Sequence, residues 1–143
     1  MTFQLIYSSV SSTPMQMDEL EDLLEHAQAS NPHHGITGAL VYADGYFLQI
    51  LEGERGAVQD LMARIGKDLR HETIAVLQAA EVQRPAFADW KMAYVSATPA
   101  QVAQWAGLTA STQLPDVWAD LRQDPDKAAQ LTQSILAVLA ESS

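Results

Sequence analysis

Asp44-Gly45 stands between two apolar runs, Ile36 to Ala43 and Tyr46 to Leu51. An acid–glycine pair between such runs is the strongest short-range signal for a two-residue hairpin, because both central residues must accept positive φ. It sets two adjacent antiparallel strands in mid-chain and rules out an all-helical fold. The second run tightens the constraint. Phe47-Leu-Gln-Ile-Leu51 is apolar at odd and even positions alike, Gln49 apart. A strand of that kind is buried on both faces, so the sheet needs cover on two sides.

The rest of the chain supplies that sheet and its cover. Phe3-Gln-Leu-Ile-Tyr-Ser8 is a short apolar, aromatic run and reads as the first strand. Asp18 to Ala29 reads as a helix, with Leu20, Leu23, Leu24 and Ala27 at helical spacing and acids on the other face. Asn31-Pro32 ends it. After the hairpin, Gly56 to Lys67 carries Val58, Leu61, Met62 and Ile65 on one stripe. Thr73 to Val82 and Trp90 to Val95 read as the fourth and fifth strands. The order β-α-β-β-α-β-β is ferredoxin-like with one strand added, an α+β fold with both helices on one face.

Beyond Ser96 the texture changes to Ala, Gln and Leu, and only helices are expected. One starts at Thr98-Pro99, where proline suits an early helical position. A second spans about Pro115 to Arg122. A third runs from Pro125 to about Glu141, with Leu131, Ile135, Val138 and Leu139 as its apolar stripe. These helices are expected to cover the sheet's other face. The chain therefore divides into residues 1–95 and a helical extension, 96–143, within one compact unit.

Composition removes whole classes of function. Eighteen acids against eight bases give a formal charge of −10, which disfavours nucleic acid and anionic lipid. No cysteine is present, so disulfides, thiol nucleophiles and zinc–thiolate sites are excluded. No apolar run approaches the length of a membrane span, and no basic cluster precedes an apolar start, so the chain reads as cytoplasmic. The four histidines, including the adjacent His33 and His34, make no metal-ligand spacing, and no metal is expected. Phosphate-loop, dinucleotide, serine-hydrolase and zinc-protease motifs are all missing. Glu52 and Glu54 flank a turn and read as solvated. Nothing here argues for acid–base or nucleophilic catalysis, and an enzyme is not expected.

Two polar residues sit inside the most strand-like runs. Gln49 lies between Leu48 and Ile50, and Tyr7 follows Leu5 and Ile6. In a sheet covered on both faces each needs a partner, because an unpaired buried amide or hydroxyl costs about 1–3 kcal/mol. The plainer reading is that Gln49 bonds backbone and Tyr7 points to water. The sharper one is that both line a ligand slot, mostly apolar with a few convergent polar groups. Asn31, before Pro32, reads in isolation as a helix-end cap or turn residue. Arg64, Lys67 and Arg70 recur every third residue. They either complement a helix C-terminus or form a mouth for phosphates.

Five segments together resemble the BLUF domain, a blue-light sensor that uses flavin. They are Ile6-Tyr-Ser-Ser9, Asn31-Pro-x-x-Gly-Ile-Thr-Gly38, Phe47-Leu-Gln-Ile-Leu-Glu-Gly53, Asp68-Leu-Arg-His71 and Arg84-x-x-Phe87-x-x-Trp90-x-Met92. The likeness runs from about residue 3 to 95, and the tail resembles that of the short stand-alone members. It implies that Tyr7 gives an electron to the excited flavin and that Gln49 lies between that phenol and the ring. It implies that Asn31 holds the ring's carbonyl edge and that Leu23 and Ile65 grip the ring. Asp68, Arg70 and His71 match positions near the ribityl chain and ring edge, and Arg64 matches one that meets phosphate. Trp90 and Met92 match a fifth-strand pair that shifts or competes for the place beside Gln49. Ser30 is a departure, since relatives often carry His or Asn there; one hydrogen bond to the ring is then lost.

FAD is the flavin the family implies, with FMN or riboflavin as the other possibilities. Signalling is expected through association, with copies of the chain or with a downstream protein. Two rival functions remain open at this point: a non-photoactive ferredoxin-like binding module, and a small flavin-dependent enzyme.

Overall fold

The structure is a computed structural model that describes residues 2–11, 35–65, 71–88, 90, 92–109 and 111–142. The helix expected over Asp18 to Ala29 lies outside the described residues. The strands are β1 (Thr2–Ser11), β2 (Thr37–Ala43), β3 (Tyr46–Gly53), β4 (His71–Val82) and β5 (Ala93–Ser96). The helices are α1 (Arg55–Ile65), α2 (Pro99–Trp105), α3 (Leu114–Gln123) and α4 (Pro125–Ser142). The sheet has the order β4-β1-β3-β2-β5. Every pairing is antiparallel except β2 with β5. This is the mixed α+β sheet that the sequence implies.

The hairpin forms where Asp44-Gly45 places it. Asp44 has φ 49° and Gly45 φ 82°, the two positive values that a twist-matched two-residue turn requires. The turn sets Ala43 opposite Tyr46, and this fixes the faces of β3. Phe47 and Leu51 join Phe3, Leu5, Tyr7, Leu40 and Val58 of α1 in one buried cluster. Leu48 and Ile50 join the other, with Val102, Leu121, Leu131 and Ile135 of the tail helices. Both faces are covered, as the two-parity pattern requires.

The tail is bound to the sheet by packing and by polar contacts. Thr98 caps α2 in a reciprocal capping box with Gln101, and Pro99 follows at the first helical position. Leu131, Ile135 and Leu139 turn the stripe of α4 inward and are buried, each contributing about 1.5–3 kcal/mol. From β4, the Gln78 amide donates to the carbonyls of Leu121 (2.9 Å) and Arg122 (3.2 Å) at the end of α3. A register shift between Ile6 and Tyr7 lets Leu77, which precedes Gln78, enter the tail-side cluster as well.

The fifth strand is shorter than expected, starting at Ala93 instead of Trp90. The cause lies upstream. The N–H groups of Ala86 and Phe87 donate to the Glu52 carboxylate, and Trp90 N–H donates back to Phe87 O at 2.9 Å. Those donors are taken by a turn and are lost to a ladder. The link from this segment to β2 is Gly38 N–H donating to Trp90 O at 3.3 Å.

At Gly38 the neighbouring strand leaves no room for a side chain. A Cβ there would stand 1.9 Å from the carbonyl oxygen of Ile50. Gly38→Ala is expected to destabilise the fold by about 3 kcal/mol or more, because backbone is the obstacle and must shift. Urea denaturation, read as a lower midpoint at unchanged slope, checks this.

Candidate functional site: a phenol, a carboxamide and a thioether

Three side chains from three parts of the chain meet on the α1 side of the sheet. Tyr7 of β1 and Gln49 of β3 are directly opposed in the ladder. Their side chains therefore leave the same face side by side. The Tyr7 hydroxyl donates to Gln49 Oε1, and Gln49 Nε2 donates to Met92 Sδ at 3.4 Å. Tyr7, Gln49 and Met92 are all buried. The plainer reading of Gln49 and Tyr7, as partners of backbone and water, gives way to a direct bond between them.

The surroundings are apolar: Leu40, Phe47, Leu51 and Val58 belong to the same cluster. Leu40 is opposite Gln49, and Tyr94 of β5 is level with Leu40, so one row crosses four strands. Burial pushes the Tyr94 phenol above its ordinary range; its hydrogen bond with Ser96 pulls the other way, and the nearby Tyr42 adds to the rise. Tyr94 is thus a neutral phenol at physiological pH.

The Gln49 amide has donor capacity to spare. It carries two N–H groups, and a thioether is a weak acceptor. Among the described residues, Met92 Sδ is its one acceptor. A buried amide whose second N–H has no acceptor among the described residues, inside an apolar lining, suits a planar heteroaromatic ring with acceptor atoms on its edge.

Of the other expected site residues, Trp90 is half-buried and packs against the tail-side cluster, on the opposite side from Gln49. Met92 therefore holds the place beside the amide. Arg64 is exposed in the last turn of α1. Ile65 is the final residue of that helix, and His71 the first of β4. Leu23, Ser30, Asn31, Asp68 and Arg70 lie outside the described residues. Among the described residues no acidic or histidine cluster is placed to hold a metal, and no helix is long and apolar enough to cross a membrane.

Glu52 overturns its sequence reading. It was expected to be solvated with Glu54, yet it is fully buried, while Glu54 is exposed. Its carboxylate accepts from Ala86 N–H (2.6 Å), Phe87 N–H (2.7 Å) and the Gln4 amide (2.9 Å). The signal was present in the alternation. Even positions of β3 face the tail side with Leu48 and Ile50, and Glu52 continues that row.

Residues 2–93 match the family of sensors of blue-light using FAD. The chain belongs to the BLUF family. Photoactivated adenylate cyclase subunit beta of Euglena longa is 33% identical over 105 residues, which is 73% of this chain and 12% of that protein. Subunit alpha of Euglena gracilis is 41% identical over 76 residues, 52% of this chain and 8% of the subunit. The chain therefore spans only a small part of these relatives' length. Among solved structures, the BLUF protein BlrB in its dark state superposes with a TM-score of 0.75 at 26% identity, covering 96% of both chains. BlsA in its ground state gives 0.69 at 30% identity, covering 86% of this chain and 87% of the other. Blue-light sensing with a flavin is the property of the family, and the Tyr7–Gln49–Met92 line has the donor chemistry to meet such a ring.

Proposed function

We propose that this chain is a cytoplasmic blue-light receptor whose chromophore is FAD and whose output is protein–protein association. The observation that carries the reading is the buried line from Tyr7 through Gln49 to Met92. The ring would be held by Leu23, Ile65 and Asn31 with Ser30, its side chain by Asp68, Arg70 and His71, and its phosphates by Arg64. When bound, the flavin supplies blue-light absorption and, once excited, a strong oxidant.

The protein's own part follows from its hydrogen bonds. Tyr7 gives up an electron, and its hydroxyl proton passes to Gln49 Oε1 along the bond that joins them. The Gln49 side chain then rotates or changes tautomer. A carboxamide has two ends of nearly equal size and opposite hydrogen-bond sense, so a turn exchanges donor for acceptor with little steric cost. Electron and proton return to Tyr7 and restore the phenol; a rotated amide keeps all its covalent bonds, whereas a tautomer has moved one proton from Nε2 to Oε1. What persists is a new set of partners for Gln49. Its N–H leaves Met92, and an unbranched thioether repacks readily. That biases the segment leading through β5 into the tail.

The stripe of α4 is spent on the sheet, so association would use outward surfaces of the tail, with a second copy or a downstream protein as partner. A difference spectrum between dark and illuminated protein tests the photochemistry. A reversible red shift of the flavin band, without bleaching, is expected. Folded but colourless protein from riboflavin-fed cells would overturn the reading. Size-exclusion runs in dark and light test the output, with a change in elution volume expected.

A further inference from the structure

The residues between β4 and β5 touch both sides of the sheet. Met92 meets Gln49 on the α1 side. Phe87 is fully buried in the tail-side cluster, and Trp90 packs against that cluster. This segment therefore offers a path by which a change at Gln49 can cross the sheet to the tail. One end of it is β5. Its middle is tied to Glu52, whose two carboxylate oxygens accept from the successive N–H groups of Ala86 and Phe87. Two successive N–H groups form a small anion-binding concavity, and such charge-assisted bonds are the strong ones.

Glu52 is well placed to be immobile. It is on β3, three residues from Gln49, paired with Gln4 of β1 on one side and Thr37 of β2 on the other. The Gln4 amide completes its set of donors. All three partners are N–H groups, which suits an acceptor-only carboxylate.

Resting on the light-receptor reading above, we propose that Glu52 is a positioning residue: it anchors the Ala86–Phe87 turn to the strand that carries Gln49, so that displacement of Met92 is passed to Trp90 instead of dissipating in a loose loop. Glu52 touches neither the phenol nor the switching amide. Its loss therefore leaves the photochemical step in place and uncouples the tail side from it.

The three tryptophans, Trp90, Trp105 and Trp118, give three lines in fluorine NMR of protein labelled with 5-fluorotryptophan. In flavin-free protein, Glu52→Gln is expected to shift or split the Trp90 line and leave Trp118 unmoved. It is also expected to raise amide exchange at Ala86 and Phe87 about tenfold or more, the scale of one lost buried hydrogen bond. In flavin-loaded protein the variant is expected to keep the red shift and lose the light-induced change at Trp90. A variant with unchanged exchange at Ala86 and Phe87, or with the Trp90 light response intact, would overturn the proposal. Fast exchange at those two amides in the unaltered protein would do so as well. Should Glu52→Gln fail to fold, Glu52→Asp, charged but one methylene shorter, is judged on the same readings. An unaltered protein with no red shift would instead overturn the light-receptor reading, while the flavin-free arm still decides on the anchor.

Discussion

Tyr7→Phe is expected to stay yellow and to show no light-induced red shift. The substitution removes one oxygen from a ring that is 2% exposed and leaves the ring's packing with Leu5, Phe47 and Leu51 intact. Flavin retention should therefore change little. What disappears is the oxidisable phenol and the proton on the path to Gln49 Oε1. A phenyl ring has no dissociable proton and is far harder to oxidise, so the first step has no donor. The structural cost is a Gln49 oxygen left without that donor, about 1–3 kcal/mol. For a chain of this size the thermal midpoint falls by about 2–4 °C per kcal/mol. Absorption spectra before and after blue light, with flavin-to-protein stoichiometry, check both parts. A persisting red shift of ordinary size would contradict the assignment of Tyr7.

Gln49→Leu is expected to be equally blind for a different reason. Leucine fills a similar volume in a pocket that already contains Leu40, Phe47 and Leu51. It offers neither the oxygen that accepts from Tyr7 nor the N–H that reaches Met92. Tyr7 can still donate an electron, but there is no group to exchange its hydrogen bonds. Flavin fluorescence after excitation should remain partly quenched in Gln49→Leu and recover in Tyr7→Phe. The red shift should be absent in both. Equal fluorescence in the two variants, or a red shift in Gln49→Leu, would remove the division of roles between phenol and amide. The stability cost is at most about 3 kcal/mol, because one buried hydrogen-bond partner is deleted and apolar contact is gained.

Much of the fold was legible because the deciding signals are local. Asp44-Gly45 announces its turn through backbone sterics alone, and the two-parity run of β3 announces cover on both faces. Tyr7 and Gln49 stood out because polar groups in such strands need partners. From the residue pattern alone their mutual bond was not legible, since the register of β1 against β3 is set by the whole ladder; only the family resemblance put them side by side. The early end of β5 was hidden for a related reason. It depends on where Ala86 and Phe87 send their N–H groups, and that depends on a carboxylate 34 and 35 positions earlier. Trp90 and Met92 share a parity in sequence, yet the turn places them on opposite sides of the sheet. Periodicity cannot foresee that once the extended backbone is broken.

In the strand order β4-β1-β3-β2-β5, Gln49 belongs to the middle strand. Its main chain is laddered to a neighbour on either hand, the least yielding position a five-membered sheet provides. A jolt delivered there does little to bend the scaffold. A sideways route runs from one side chain to the next, towards a rim strand four residues long that is gripped along a single margin. Under the proposed reading, a strand laddered on both sides would receive the stimulus and a short edge strand would express it.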